Sequence, residues 1–329
     1  MTKIRLTLLD KTISQGGSNI RLDRDGNLLG ERTGYRSYRC AITALILKRF
    51  HNTDLNYPEP IEGPYPYHRL YKQMRETSEA FEQAGISNVL PPKGVHALGI
   101  KKGVFLDLRN ADILEEAAYE EGFSIQQQRI LDFGSSSGRT VRTFYEAIPA
   151  EWHGVDPLRT SIEWARANFP DITFHVNDYQ PPLEIESEYF NGVYAKSIWS
   201  HFGPKAAKSW IEEMHRILRP GGFLMFSVPG YHRLAERLAG EPFDWSIGVT
   251  KKVPSEEYLI ELAESFLKNG FHFAPIEKRG EMKGITQWGT TFMRFDWVER
   301  ELLRDLFVIK AMKPARTESS QDIYVCKRV

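Results

Sequence analysis

The stretch RILDFGSSSGR, residues 129–139, decides how this chain is read. RILDF is a short apolar strand, and the five residues after it, Gly134-Ser135-Ser136-Ser137-Gly138, are small enough for the backbone to turn sharply and approach a ligand closely. Beyond them Val141, Phe144, Tyr145 and Ile148 stand at i, i+3, i+4 and i+7, the apolar stripe of a helix. Strand, glycine-rich turn and helix in that order offer helix N-terminal amides to an anionic or carboxylate group. Alone, such a turn is a weak signal.

The same rhythm continues downstream. Strands are predicted at 152–156 (WHGVD), 172–176 (ITFHV), 189–195 (YFNGVYA) and 223–228 (FLMFSV). The helices between them carry Ile162, Ala165 and Phe169, then Ala207, Trp210, Ile211, Met214, Ile217 and Leu218, closed by Pro220-Gly221-Gly222. Short apolar strands alternating with amphipathic helices predict an α/β fold with a doubly wound parallel sheet. At the end of the chain LFVIKAM (306–312) and QDIYVCKRV (321–329) follow each other closely, which predicts an antiparallel hairpin at the sheet edge. A plain dinucleotide fold would place a helix there. The segment 229–301 is less regular, with a helix expected at 255–268 and a strand at 271–276.

Acids close the predicted strands. Asp156 ends the second, where a carboxylate accepts the hydroxyl protons of a ribose, and Asp178 follows the third, placed for an exocyclic adenine amine with Tyr179 beside it for ring contact. Any one of these acids could instead cap a helix.

In this order and spacing DFGSSSGR, GVDP, VNDYQPPL, YFNGVYAKSIWSHF and HRILRPGGFLMFSVPG resemble the class I S-adenosylmethionine-dependent methyltransferases. The resemblance is close over about 130–230, and QDIYVCKRV looks like that family's last strand. It implies a Rossmann-like, mostly parallel seven-stranded sheet whose last strand is antiparallel, and S-adenosyl-L-methionine as cofactor. It also implies cofactor-binding residues: Gly134, Ser135, Ser136 and Gly138 against the methionine moiety, Asp156 and Pro157 at the ribose, Asp178 and Tyr179 at the adenine, and Lys196 and Ser197 near the methyl donor. Ser136 stands where the family usually has a glycine.

That serine also spells G-x-S-x-G, the nucleophile elbow of α/β-hydrolases. The elbow needs several sheet strands before it, and residues 1–128 offer no such series. A nicotinamide-dependent oxidoreductase shares the glycine turn and the distal acid, and a scaffold that binds S-adenosylmethionine without turnover is a further alternative. Methyl transfer asks the protein to align acceptor, methyl and sulfur and, for a hydroxyl acceptor, to remove a proton. His201, just past the fourth strand, and His232, just past the fifth, are the candidate bases, His201 first. Each could equally be a packing histidine; for His215, inside a helix, packing is the stronger reading. Trp199, Phe202, Tyr231, Trp245, Trp288, Phe292 and Phe295 would line an acceptor pocket or, as the default, pack the variable segment.

The 329 residues, 41% apolar and 12% aromatic, are enough for a large core. Charges balance at 43 basic and 43 acidic, so nothing global draws the chain to nucleic acid or an anionic membrane. Residues 101–190 carry 8 basic and 16 acidic side chains, which repel a polyanion. Two cysteines, Cys40 and Cys326, without metal-ligand neighbours argue against a disulfide scaffold or a metal site. Lys3, Arg5, Asp10 and Lys11 break up any apolar leader, so a soluble cytoplasmic protein is expected. Residues 1–100 lack the strand and helix rhythm; Pro58, Pro60, Pro64 and Pro66 exclude regular structure at 56–68. Arg32, Tyr35, Arg36, Tyr38 and Arg39 interleave basic and aromatic residues but lack a wider basic field. The expected organisation is an N-terminal extension or lid over 1–100 and a methyltransferase domain over 101–329, with a substrate-side insertion at about 229–301. The expected acceptor is a small polar molecule, its hydroxyl on a saccharide or secondary metabolite by resemblance alone. No nucleic-acid or membrane partner is expected, and a homodimer is left open.

Overall fold

The computed structural model describes residues 21–22, 28–29, 89–92, 94–95, 114, 117–118, 120–125, 127–142, 150–238, 255–276, 286–314 and 321–329. The proline-rich run at 56–68, residues 32–39, and Phe144, Tyr145, Ile148 and Trp245 lie outside them. The chain divides into two compact units, Arg32–Asn177 and Met1–Glu31 with Asp178–Val329.

In the unit Arg32–Asn177, strands β1 (Arg129–Phe133), β2 (Glu151–Asp156) and β3 (Thr173–Val176) pair in parallel, with Ile130 opposite Trp152 and Gly154 opposite Phe174. Helix α1 (Arg159–Asn168) crosses from β2 to β3. Its stripe is the expected one, since Ile162, Ala165 and Phe169 are all buried. Arg166 on its last turn donates from Nε and Nη2 to the carbonyl of Phe174 at 3.0 and 2.7 Å, tying the helix to β3.

The unit Met1–Glu31 with Asp178–Val329 begins with a short antiparallel ladder, Arg21–Leu22 against Leu28–Leu29. It continues with β4 (Phe190–Ala195), α2 (Pro204–Ile217) and β5 (Leu218–Val228). Pro204 sits in the first turn of α2, where its missing N–H costs nothing. Ala207, Trp210, Ile211, Met214 and Ile217 are buried along one face. Leu218, expected to finish that face, instead starts β5. The strand pairs Leu218 with Phe190 and then Phe223 with Gly192, so residues 219–222 bulge out of the ladder.

Helices α3 (Tyr231–Leu238) and α4 (Glu256–Asn269) follow, then β6 (Phe271–Pro275), β7 (Gly289–Met293), a π-helical turn Val298–Leu303, β8 (Phe307–Lys313) and β9 (Asp322–Arg328). Ser255 caps α4 by accepting from Tyr258 N–H, and Gly270 closes it in the left-handed conformation. Leu259, Leu262, Ala263 and Phe266 of α4 pack with Leu234 and Phe292. Strands β6 and β7 form an antiparallel pair of their own; β7 was not foreseen, because GTTFM carries little apolar alternation.

Seven strands make one mostly parallel sheet in the order β8-β9-β5-β4-β1-β2-β3. The terminal hairpin is present as expected: β9 runs antiparallel to both β5 and β8, with Ile323, Tyr324, Val325 and Cys326 wholly buried. Two-sided burial is why IYVC reads as an uninterrupted apolar run. Among the described residues no helix is long and apolar enough to cross a membrane.

Candidate active site

The first group of site residues lies at the carboxyl end of β1 and β2. The glycine turn is left-handed three times, with φ of +83° at Gly134, +48° at Ser136 and +74° at Gly138. Gly138 has a second reason to be glycine, because a Cβ there would lie 2.8 Å from the Phe174 ring. Ser136 accepts the left-handed conformation that a glycine would adopt freely, at a cost of roughly 1–2 kcal/mol. Its amide donates to Asp156 Oδ2 at 2.8 Å, and Leu158 N–H donates to Oδ1 at 2.9 Å. Two backbone donors thus orient a buried carboxylate. Pro157 lies between Asp156 and Leu158, so the tight Asp156–Leu158 contact spans it.

The amides of this turn are not free to receive an anion, contrary to what the sequence pattern promised. Gly134 and Ser135 both donate to the Val155 carbonyl at 2.9 and 3.0 Å, and Gly138 donates to Ser135 O at 2.9 Å. With Ser136 committed to Asp156, four amides that would otherwise cradle a phosphate are taken by the protein. The hydroxyl of Ser135 is different: it is buried with no hydrogen-bond partner among the described residues. With these amides committed, the turn is poorly placed to cradle a pyrophosphate. The hydrolase elbow finds no support either: among the described residues no strand of the sheet precedes β1.

The second group belongs to the unit Asp178–Val329. Asp178 is exposed and Tyr179 half-buried. Lys196 and Ser197 follow the last residue of β4. Ser197 has φ of +58°; its N–H donates to Ser227 Oγ at 2.8 Å and its hydroxyl to Gln321 Oε1 at 3.1 Å. From there the chain turns, His201 N–H donating to Ile198 O at 3.0 Å, and runs alongside residues 287–291. Gly289 N–H donates to His201 O at 2.7 Å, Thr291 N–H to Ser200 O at 2.9 Å, and the Thr291 hydroxyl to Phe202 O at 2.7 Å. A Cβ on Gly289 would fall 2.1 Å from the Ala274 carbonyl oxygen, so only glycine allows this approach.

His201 is the best-defined titratable group here. Its Nδ1 lies 2.8 Å from the Gly289 carbonyl, and its ring stacks on Trp288 with centroids 4.7 Å apart and planes 15° from parallel. A carbonyl can only accept, so Nδ1 carries a proton, and in the neutral tautomer the lone pair is on Nε2. His232 is the second residue of α3, in the first turn after β5, and its side chain lies outside the described atoms. His215 packs edge-on against Phe307 at 5.8 Å, and burial lowers its pKa; it is a packing histidine, as its place in α2 implied. Trp199 and Phe202 are buried and pack too. The sequence pattern missed Ser227, Gly289 and Gln321. Their contacts span 30 to 124 positions along the chain, beyond any local periodicity.

Residues 130–222 match the family model described as a methyltransferase domain. The solved structures that resemble the chain include an S-adenosylmethionine-dependent methyltransferase from Mesorhizobium loti, 18% identical with TM-score 0.44, covering 67% of this chain and 100% of that one. A second, from Methanosarcina mazei, is 16% identical with TM-score 0.42 and covers 64% and 96%. A glycopeptide N-methyltransferase in complex with S-adenosyl-L-methionine is 14% identical with TM-score 0.42 and covers 67% and 93%. The matched stretch supplies β1 to β4, the start of β5, the helices between them and the glycine turn.

Proposed function

We propose that the protein transfers the methyl group of S-adenosyl-L-methionine to a hydroxyl of a small polar acceptor, with His201 as general base. The donor supplies a methyl group already activated on a sulfonium. In this reading Gly134, Ser135, Ser136 and Gly138 take the methionine end, with the unpaired Ser135 hydroxyl as one donor to it. Asp156, oriented by two amides, takes the ribose hydroxyls, and Pro157 stiffens that corner. Asp178 and Tyr179 take the adenine. Lys196 and Ser197 act near the methyl group, Ser197 through its backbone, since its hydroxyl is engaged with Gln321.

The observation that carries the choice of a hydroxyl acceptor is the bond from His201 Nδ1 to the Gly289 carbonyl. It fixes the tautomer with a basic Nε2, and a hydroxyl, unlike a neutral amine, must lose its proton as the new bond forms. His232 is the second candidate, one helical turn past β5. A saccharide or secondary-metabolite hydroxyl is the acceptor class to try first.

The test is turnover of methyl-labelled donor against a panel of hydroxyl and amine acceptors, followed by His201→Ala on whichever acceptor works. The variant is expected to lose roughly 10²- to 10⁴-fold in kcat while S-adenosylhomocysteine binds as before. Intact turnover in that variant, or methylation of amines alone, sinks the assignment.

A further inference from the structure

Where β4 leaves the sheet, Ser197 adopts a left-handed backbone disfavoured for any residue with a Cβ. Three hydrogen bonds link it with Ser227 and Gln321 in a closed ring. Ser197 N–H donates to Ser227 Oγ at 2.8 Å, the Ser227 hydroxyl donates to Gln321 Oε1 at 2.8 Å, and the Ser197 hydroxyl donates to the same oxygen at 3.1 Å. One amide oxygen has two lone pairs, and both are used by these hydroxyls. Ser227 is wholly buried and Gln321 is 7% exposed, so water competes little for the bonds.

The ring of bonds joins three strand ends. Ser197 lies just past β4, Ser227 is the last residue but one of β5, and Gln321 immediately precedes β9. The carboxyl ends of β4 and β5 are where open α/β sheets bind ligands, and β9, being antiparallel, enters at that same edge. A clamp that only stapled strands together could sit anywhere along them. This one sits on a left-handed residue at the edge where the donor is expected.

We propose that Gln321, acting through Ser227, is a positioning residue for the methyl donor: it holds Ser197 in the left-handed turn and so fixes the backbone of Lys196 and Ser197 against the donor. The inference rests on the donor reading of the β4 end given above. Gln321 touches neither donor nor acceptor in this account.

Calorimetry with S-adenosylhomocysteine on the full chain tests it, with thermal melting to follow folding. Binding by the unaltered protein tests the donor reading itself, and its absence overturns both. Gln321→Leu is expected to weaken binding roughly tenfold, the equivalent of one to two lost hydrogen bonds. Adding Ser197→Gly to that variant is expected to restore affinity to within about threefold, because glycine enters the left-handed turn without a Cβ penalty. A loss due merely to a weakened core would not be rescued by a second substitution that removes another hydroxyl. If Gln321→Leu fails to fold, Ser227→Ala with and without Ser197→Gly carries the same expectation. Wild-type affinity in a folded Gln321→Leu or Ser227→Ala protein, or failure of the glycine to rescue, overturns the positioning role.

Discussion

The turn after β1 and the loop after β4 do similar work by opposite means. Both leave a strand through a serine forced into the left-handed region, Ser136 with φ of +48° and Ser197 with φ of +58°. Ser136 is held from nearby: its amide reaches Asp156, twenty positions on, at the end of the adjacent strand. Ser197 is held from afar, by Ser227 and by Gln321 at the other end of the chain. Strain in the first is managed by glycines on either side and a carboxylate; strain in the second depends on strands brought together by folding. The first is therefore a portable motif and the second a property of this fold.

The comparison can be broken most directly at Asp156. Asp156→Ala removes the acceptor of two amides and the proposed ribose contact. It is expected to cost about 3 kcal/mol of stability and roughly 100-fold in S-adenosylhomocysteine affinity, read by chemical denaturation and calorimetry. An unchanged affinity would show that the turn is merely structural.

The matching change on the other side is Thr291→Val, which keeps the volume and deletes the buried hydroxyl that donates to Phe202 O. A loss of about 1–2 kcal/mol is expected, with turnover falling more than donor affinity because His201 sits on that segment. Equal losses in both would mean that the β7 contact does not serve the base.

A smaller effect, confined to the unit that holds β1 to β3, should appear with pH. His153 and His175 lie 3.3 Å apart with stacked rings, and His153 Nε2 is 3.0 Å from Glu151 Oε1. Burial lowers both histidine pKa values; Glu151 opposes this at His153 while Arg129 adds to it, and His153 and Arg166 add to it at His175. Lowered folded-state values mean that the unfolded chain binds more protons, so this contribution is complete above the ordinary value of 6.5 and fades as pH falls below it. Melting temperature should drop from pH 7 toward pH 5, and His153→Gln should flatten that slope. A slope unchanged in the variant would place the titration elsewhere.

The smallest expected change is Ser136→Gly. Removing the left-handed strain gains roughly 1 kcal/mol, and the added freedom of the unfolded chain takes back about 0.5–1 kcal/mol, so stability should stay within about 1 kcal/mol. A larger loss would give the Ser136 hydroxyl a role that its counterpart glycine could not fill.

The fold was legible because its signals are local. Apolar runs of four to seven residues, glycine turns and helix stripes at 3.6 spacing arise from the backbone itself, and they placed β1 to β5, α1, α2, α4 and the terminal hairpin within a few residues. The largest discrepancy was the start of β5 at Leu218, where a bulge admits residues that read as a turn. The candidate site was legible only in part. Asp156 and the glycine turn announced themselves because a strand, a tight turn and an acid at the next strand end recur at fixed spacing. His201 was recognisable as a residue type in a suitable place, but not the Gly289 carbonyl that accepts from its Nδ1.

The sequence by itself determined the strand and helix alternation, the turn that only small residues can make, and the acids at strand ends, because each depends on neighbours along the chain. Tertiary structure alone decided which atoms those residues meet. The amides of the glycine turn are spent on Val155 and Asp156, Ser197 is clamped by Gln321, and Gly289 carries the carbonyl that sets the His201 proton. Hydrogen bonds are short and directional, so a partner 88 or 124 positions away leaves no periodic trace in the sequence until the sheet brings the two together.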